Sequence, residues 1–277
     1  MANTPEESIH LPTTDGAEPS HLAVRYGAPA GDASRGGEPP VAVLYLHGFG
    51  SRQGGTKAEY FRRRFVEAGL AFCSFDFQGH GDSGGSMLGL SLSRNLDDTA
   101  RVHDWLEARG HRRVVLAGSS MGGLTALWHG ARHPGRALAA THLAPALDLG
   151  RNFEERVGSA GMRQWRREGR LHVQNDLVDC HLGWNFVEDF AAFPIDRLQA
   201  QYRTPTLLLQ GQRDDAVNWR SVAAFAAACP TELVKLHLFE DGDHRLIEHR
   251  EHLWALMREF LEGRGVFVGS PCTERRA

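Results

Sequence analysis

Hydrophobic positions along the chain fall into two alternating rhythms. Continuous apolar runs, partly β-branched, occur at 41–46 (VAVLYL), 71–75 (AFCSF), 113–117 (RVVLA), 137–143 (ALAATHL), 205–210 (PTLLLQ) and 233–239 (LVKLHLF). Such runs, without polar alternation, predict strands covered on both faces. Between them, at 56–69, 95–110, 121–133, 219–229 and 250–263, apolar residues recur three and four apart, which predicts helices with one buried stripe. Gly69 and Pro134 supply stop signals for two of them. Residues 8–11 and 21–26 read as short leading strands. The stretch 28–40 (APAGDASRGGEPP) is too poor in apolar side chains to be anything but a flexible loop.

Strand–helix alternation at this spacing predicts an α/β fold, a mostly parallel sheet with helices on both faces, built as a single domain over 1–277. The rhythm fails at about 146–204, where RNFEERVGSAGMRQWRREGR and GWNFVEDFAAFPIDRL read as short helices. An insertion after the sixth strand stands beyond the carboxyl ends of the strands, where open sheets bind ligands. It is therefore expected to form a small helical lid.

Composition narrows the class. The 277 residues are 42% hydrophobic and 23% charged, with a formal net charge of -3, which suits one larger globular domain. That balance gives no footing for nucleic acid, and basic clusters such as FRRRF (61–65) and RQWRREGR (163–170) are expected to coat solvated helix faces. No apolar signal region marks MANTPEESIHLPTTDG, and no segment approaches the roughly 20 apolar residues that cross a bilayer. The four cysteines (73, 180, 229, 272) are scattered, with Cys73 and Cys229 in apolar runs that suit core packing. A cytoplasmic protein is expected.

Candidate chemistry begins at GSSMGG, residues 118–123, where Ser120 is centred in a Gly-x-Ser-x-Gly pattern between a strand and a helix. Gly118 and Gly122 fit a tight corner that a Cβ would obstruct, and the helix from Met121 aims its free N–H groups at the serine. A base is expected in EDGDHRL (240–246), where His244 follows the last strand. His237 reads as a strand-face residue, and His129 and His133 as surface or satisfied side chains. An acid is expected in LLLQGQRDDAV, at Asp214, with Asp215 the near alternative. The order Ser, Asp, His is the one this topology uses, the acid fixing the imidazole tautomer that accepts the serine proton.

Backbone donors for a developing oxyanion are expected from Met121 and, in the loop HGFGS (47–51), from Phe49, with His47 bracing that loop. GHGDSG (79–84) fits a dinucleotide glycine pattern only in spacing, since no helix follows it. Asp76, His80 and Asp82 are too few and too mixed to argue for a metal. No cofactor and no metal are expected.

LHGFGS, DFQGHGDSGG, GSSMGG, GQRDDAV and GDHRL together resemble the α/β-hydrolase fold family, from about residue 20 to 265. Within it, GFGSRQGGTKAEYFRRRF, GSSMGG, GQRDDAVNW and DHRL resemble the branch of the mitochondrial acyl-protein thioesterase, also described as a mycophenolic acid acyl-glucuronide esterase, and its bacterial relatives. The resemblance implies a serine hydrolase for esters or thioesters of an acyl group, with a small-molecule or acyl-conjugate substrate. Ser120 would be nucleophile, Asp214 acid and His244 base. Met121 departs from the leucine also common in relatives, and the residues ahead of the domain are not expected to act as a basic, serine-rich transit segment.

Phe153, Met162, Trp165, Trp184, Phe186 and Phe190, all within 146–204, are candidates to line an acyl pocket. Dehalogenase or epoxide-hydrolase chemistry would need aspartate at 120. Hydrolysis of a carbon–carbon, amide or peptide bond would keep the same three residues. A non-catalytic binding module would be expected to have lost one of them.

Overall fold

Eight strands form one twisted sheet in the computed structural model, which describes residues 6–15, 18–29, 41–175, 178–230 and 232–267. In chain order the sheet strands are β1 (Glu6–Asp15), β2 (Glu18–Gly27), β3 (Val41–Leu46), β4 (Ala71–Phe75), β5 (Arg113–Ser119) and β6 (Ala137–Leu143). A separate hairpin of β7 (Arg170–Gln174) and β8 (Asp179–Gly183) follows, then β9 (Thr206–Gly211) and β10 (Val234–Phe239) complete the sheet. The spatial order is β1-β2-β4-β3-β5-β6-β9-β10. Only β1 and β2 run antiparallel to their neighbours; every pairing from β4 to β10 is parallel. The mostly parallel α/β sheet expected from the sequence is present.

Helices α1 (Thr56–Glu67), α2 (Leu92–Ala108), α3 (Met121–Arg132), α7 (Trp219–Ala228) and α8 (Arg250–Glu262) lie between or after the parallel strands. Strand alternation divides the core in two. On β3, Ala42, Leu44 and Leu46 face one layer, while Val41, Val43 and Tyr45 face the other; Val114/Leu116 and Val115/Ala117 on β5 repeat the split. The first layer meets α2, α3 and α7, the second α1 and α8. Phe65 shows how α1 is held: it is fully buried against Phe72 and, edge-on, Trp254 of α8. Burying one such ring contributes about 1.5–3 kcal/mol. Ser91 caps α2 by accepting from Arg94 N–H, and Asn218 caps α7 through Arg220 N–H.

Residues 144–205 depart from the purely helical insertion expected there. They hold α4 (Leu149–Glu168), the β7–β8 hairpin, α5 (Asn185–Ala191) and α6 (Ile195–Gln201). Gly158 interrupts α4 with a positive φ of 69°, and Gly169 ends it in the left-handed region. Of the loop expected over 28–40, residues 30–40 lie outside the described residues. No helix among the described residues is long and apolar enough to cross a membrane. Cys73 and Cys229 are buried and unpaired, and Cys180 is unpaired and half-buried.

Candidate active site

Ser120 stands in the one-residue corner between β5 and α3, with φ 56° and ψ -121°. A non-glycine residue held there is strained by roughly 1–3 kcal/mol and persists only where its surroundings fix it. They do: Ser120 N–H donates to the Leu143 carbonyl (2.9 Å), and the Ser120 carbonyl accepts from Leu124 and Ala146 N–H (both 3.1 Å). A Cβ on Gly118 would stand 2.6 Å from the Gly122 carbonyl oxygen, and one on Gly122 only 2.2 Å from that of Leu46. Both glycines are there for close backbone approach. Gly122→Ala is therefore expected to destabilise the fold by about 3 kcal/mol or more, since rigid backbone must give way. Gly263→Ala, whose Cβ would make ordinary contacts, serves as reference. Coincident urea midpoints for the two variants would refute the argument.

His244 comes from the loop between β10 and α8. With its proton on Nδ1 it donates to Asp214 Oδ2 (2.9 Å), and its Nε2 lies 3.2 Å from Ser120 Oγ, placed to accept the hydroxyl proton. The loops carrying His244 and Asp214 are stitched together by Arg213 N–H on the Gly242 carbonyl (2.9 Å). Leu246 N–H donates to Asp243 Oδ1 (2.6 Å) and tightens the turn. The Asp214 side chain is sealed from solvent while 23% of His244 remains exposed. Asp214 Oδ1 accepts from Ala216 and Val217 N–H (2.9 and 2.8 Å), and Oδ2 also accepts from Gln210 Nε2 (2.9 Å). Burial works to raise this carboxyl, but the bond from His244, with those from Val217 and Gln210, outweighs it and holds Asp214 below the usual carboxylate range. Asp215 is exposed, and its carbonyl accepts from Arg156. Of the two aspartates, only Asp214 reaches His244.

The loop after β3 passes directly over the serine: a Cβ on Gly48 would lie 3.1 Å from Ser120 Cβ. Phe49 N–H and Met121 N–H each have no acceptor among the described residues. His47 is fully buried, its Nδ1–H donating to the Gly48 carbonyl (2.8 Å) and its Nε2 accepting from Phe77 N–H (3.1 Å). Burial lowers its pKa to about 4, so the ring is a neutral brace at physiological pH. Asp76 is taken up by Gln53 and Asp82 N–H (2.6 and 2.9 Å), tying two loops together. His129, expected at the surface or satisfied, is buried, with Nε2 2.9 Å from His103 Nδ1.

A cavity of about 410 Å³ opens from Ser120 and His244 beneath the 144–205 segment. Of the six residues expected to line an acyl pocket, Phe153 lies in the wall of this cavity; Met162, Trp165, Trp184, Phe186 and Phe190 lie outside it. Four of these, with Phe153, pack on one another: Trp165 meets Trp184 edge-on and Phe186 face-on, and Phe186 meets Phe190. Trp165 Nε1 donates to the Leu182 carbonyl (3.1 Å), fastening α4 to the hairpin. Met162 packs partly buried against the same core. The apolar wall comes instead from Leu149, Val157, Leu171, Val173 and Val217. The one signal for Leu171 and Val173 in the sequence is faint, an alternation with polar neighbours over the five residues RLHVQ.

Known proteins resemble the chain in sequence and fold. The family model described as serine aminopeptidase, S33, matches residues 37–172. The mitochondrial palmitoyl-protein thioesterase ABHD10 of Mus musculus is 24% identical over 214 residues, covering 74% of this chain and 69% of its own. A solved structure from Agrobacterium vitis S4 superimposes with a TM-score of 0.78 at 25% identity, over 92% of this chain and 99% of that one. Mouse alpha/beta hydrolase domain-containing protein 10 does so with a TM-score of 0.71 at 19% identity, over 93% and 99%. On that likeness of sheet and sequence, the chain has the α/β-hydrolase fold and resembles the ABHD10 branch of it.

Proposed function

We propose that this hydrolase cleaves carboxylic esters or thioesters through an acyl-Ser120 intermediate. The observation that carries the reading is the continuous relay from Ser120 Oγ through His244 to a buried, fully hydrogen-bonded Asp214. His244 takes the serine proton as Oγ attacks the acyl carbonyl, and Asp214 stabilises the imidazolium that forms. Phe49 and Met121 N–H receive the oxyanion. His244 then protonates the departing alkoxide or thiolate, and water releases the acyl group by the reverse relay.

The substrate's acyl chain occupies the cavity beside Phe153, Leu171 and Val173, so the segment 146–204 acts as its lid. Met162, Trp165, Trp184, Phe186 and Phe190 anchor that lid. The relative named a palmitoyl-protein thioesterase supports an acyl conjugate as substrate. A reducing, cytoplasmic setting belongs to the same reading, supported by the unpaired Cys73, Cys180 and Cys229.

The test is fluorophosphonate labelling followed by peptide mapping, together with turnover of p-nitrophenyl esters from acetyl to palmitoyl. Label on Ser120 and turnover of medium acyl chains are expected. Label on another residue, or none, would sink the assignment of Ser120.

A further inference from the structure

Ser120 and His244 open onto a second, smaller cavity of about 150 Å³ that no residue of 146–204 lines. Its wall carries three cations, where that of the first carries Arg156 alone besides histidines. Arg52 comes from the loop after β3, Lys57 from the first turn of α1, and Arg245 follows His244 directly. Lys57 is half-buried, and its Nζ donates to Ser119 Oγ (2.7 Å), next to Ser120 in the chain. The start of α1 lines the same cavity, and its N-cap, Gly55, offers no side chain to its free N–H groups. The positive end of the helix macrodipole thus adds to the three cations.

The charged groups facing Lys57 are Arg245, Asp243 and Asp214. Both carboxylates are committed elsewhere: Asp214 to His244, Gln210 and two backbone N–H groups, Asp243 to Leu246 N–H. Burial lowers the Lys57 pKa to about 8, which leaves the ammonium mostly charged at pH 7. Two cavities therefore meet at one serine: the larger sets Phe153, Leu171 and Val173 beside a polar side that includes Arg156, and the smaller gathers three cations close to the serine.

We propose that the cationic cavity is the leaving-group subsite and selects a leaving group carrying a carboxylate or phosphate close to the departing atom. This rests on Ser120 being the nucleophile. Attack joins Ser120 Oγ to the acyl carbon and breaks the bond to the leaving oxygen or sulfur. The serine proton passes through His244 to that atom, so the group departs with its own anion unchanged. Lys57, Arg52 and Arg245 bind that anion and take no part in the proton transfer.

The experiment compares S-hexanoyl thioesters of 3-mercaptopropionate, 2-mercaptoethyl phosphate and neutral 2-mercaptoethanol, with wild type, Lys57→Met, Lys57→Arg, Arg245→Gln and Ser120→Ala. Wild type is expected to favour an anionic thioester over the neutral one by about tenfold or more in kcat/KM, the scale of charge-assisted hydrogen bonds. The better of the two anions identifies the ligand. That ratio should fall toward one in Lys57→Met, decline in Arg245→Gln, and be retained in Lys57→Arg. Equal kcat/KM for anionic and neutral thioesters in wild type, with Ser120-dependent turnover, would overturn the subsite and leave the esterase reading standing. An unaltered ratio in both Lys57→Met and Arg245→Gln would do the same. No Ser120-dependent cleavage of any of these thioesters would overturn the subsite, and the same failure on p-nitrophenyl esters would overturn the esterase reading as well.

Discussion

Ser120→Ala is expected to lower kcat on a medium-chain p-nitrophenyl ester by about 10⁵–10⁶-fold, the scale seen when a serine–histidine–carboxylate relay loses its nucleophile. The magnitude follows from the chemistry. Without Oγ no acyl-enzyme forms, and only the oxyanion donors and binding remain, worth about 10³–10⁴ over water. His244→Ala should fall to a similar floor, because Oγ without its base is a weak nucleophile. The double variant should be no slower than either single one, since each already disables the same unit. The Ser120→Ala protein should retain the wild-type fold by circular dichroism: removing one hydroxyl leaves untouched the Leu143, Leu124 and Ala146 backbone bonds that hold the corner. A Ser120→Ala variant keeping more than about a hundredth of wild-type kcat would place the nucleophile elsewhere.

Much of the fold could be read from the chain because sheet burial writes itself into sequence. VAVLYL has no polar position, and all six of its residues are buried. The predicted β3, α1, β4, α3, β6, α7, β10 and α8 agree with the observed elements to within a few residues. The β7–β8 hairpin did not stand out because it is exposed at every second position. Its outward residues, among them His172 and His181 stacked across the strands, look like loop polarity in a linear reading. The pocket candidates illustrate a different limit. Aromatic type says that a side chain will be buried, not on which side of its helix. Trp165 lies fully buried against Trp184 and Phe186, whereas Leu171 and Val173, smaller and less conspicuous, reach the cavity. His129 shows the same limit: its partner, His103, sits on the neighbouring helix α2, 26 residues away in the chain. The three candidate relay residues could be singled out because each occupies a loop just past a strand, where order along the chain restricts the options. The cationic cavity could not, since Arg52, Lys57 and Arg245 meet only when the loop after β3 folds against the loop after β10.

Neighbouring aspartates in RDDAV give a sharp test of geometry against composition. Asp214→Asn is expected to reduce kcat by about 10³–10⁴-fold, and Asp215→Asn by no more than a few-fold. Both substitutions remove one negative charge from adjacent positions, so a general electrostatic effect would move the two together. They differ in what the oxygen atoms do. Asp214 Oδ2 accepts from His244 Nδ1 and from Gln210 Nε2, and Oδ1 from two backbone N–H groups, so all its acceptor capacity lies inside the protein. An asparagine there keeps the shape but presents an N–H₂ either to Gln210 and His244 or to the backbone donors. Facing His244, it favours the tautomer with Nδ1 as acceptor and Nε2 protonated, which can no longer receive the serine proton. The exposed Asp215 side chain makes no bond to the histidine, and its asparagine changes only a solvated charge. The pH profile separates the cases further. Asp214 is held below the usual carboxylate range, so its ionised form persists above the unfolded value of about 4. Its contribution to stability is present there and is lost as pH falls through the lowered folded value. Asp214→Asn should therefore flatten the decline in stability on acidification below about pH 4, and Asp215→Asn should follow wild type. Equal losses of kcat in the two variants would mean that His244 is not oriented by Asp214.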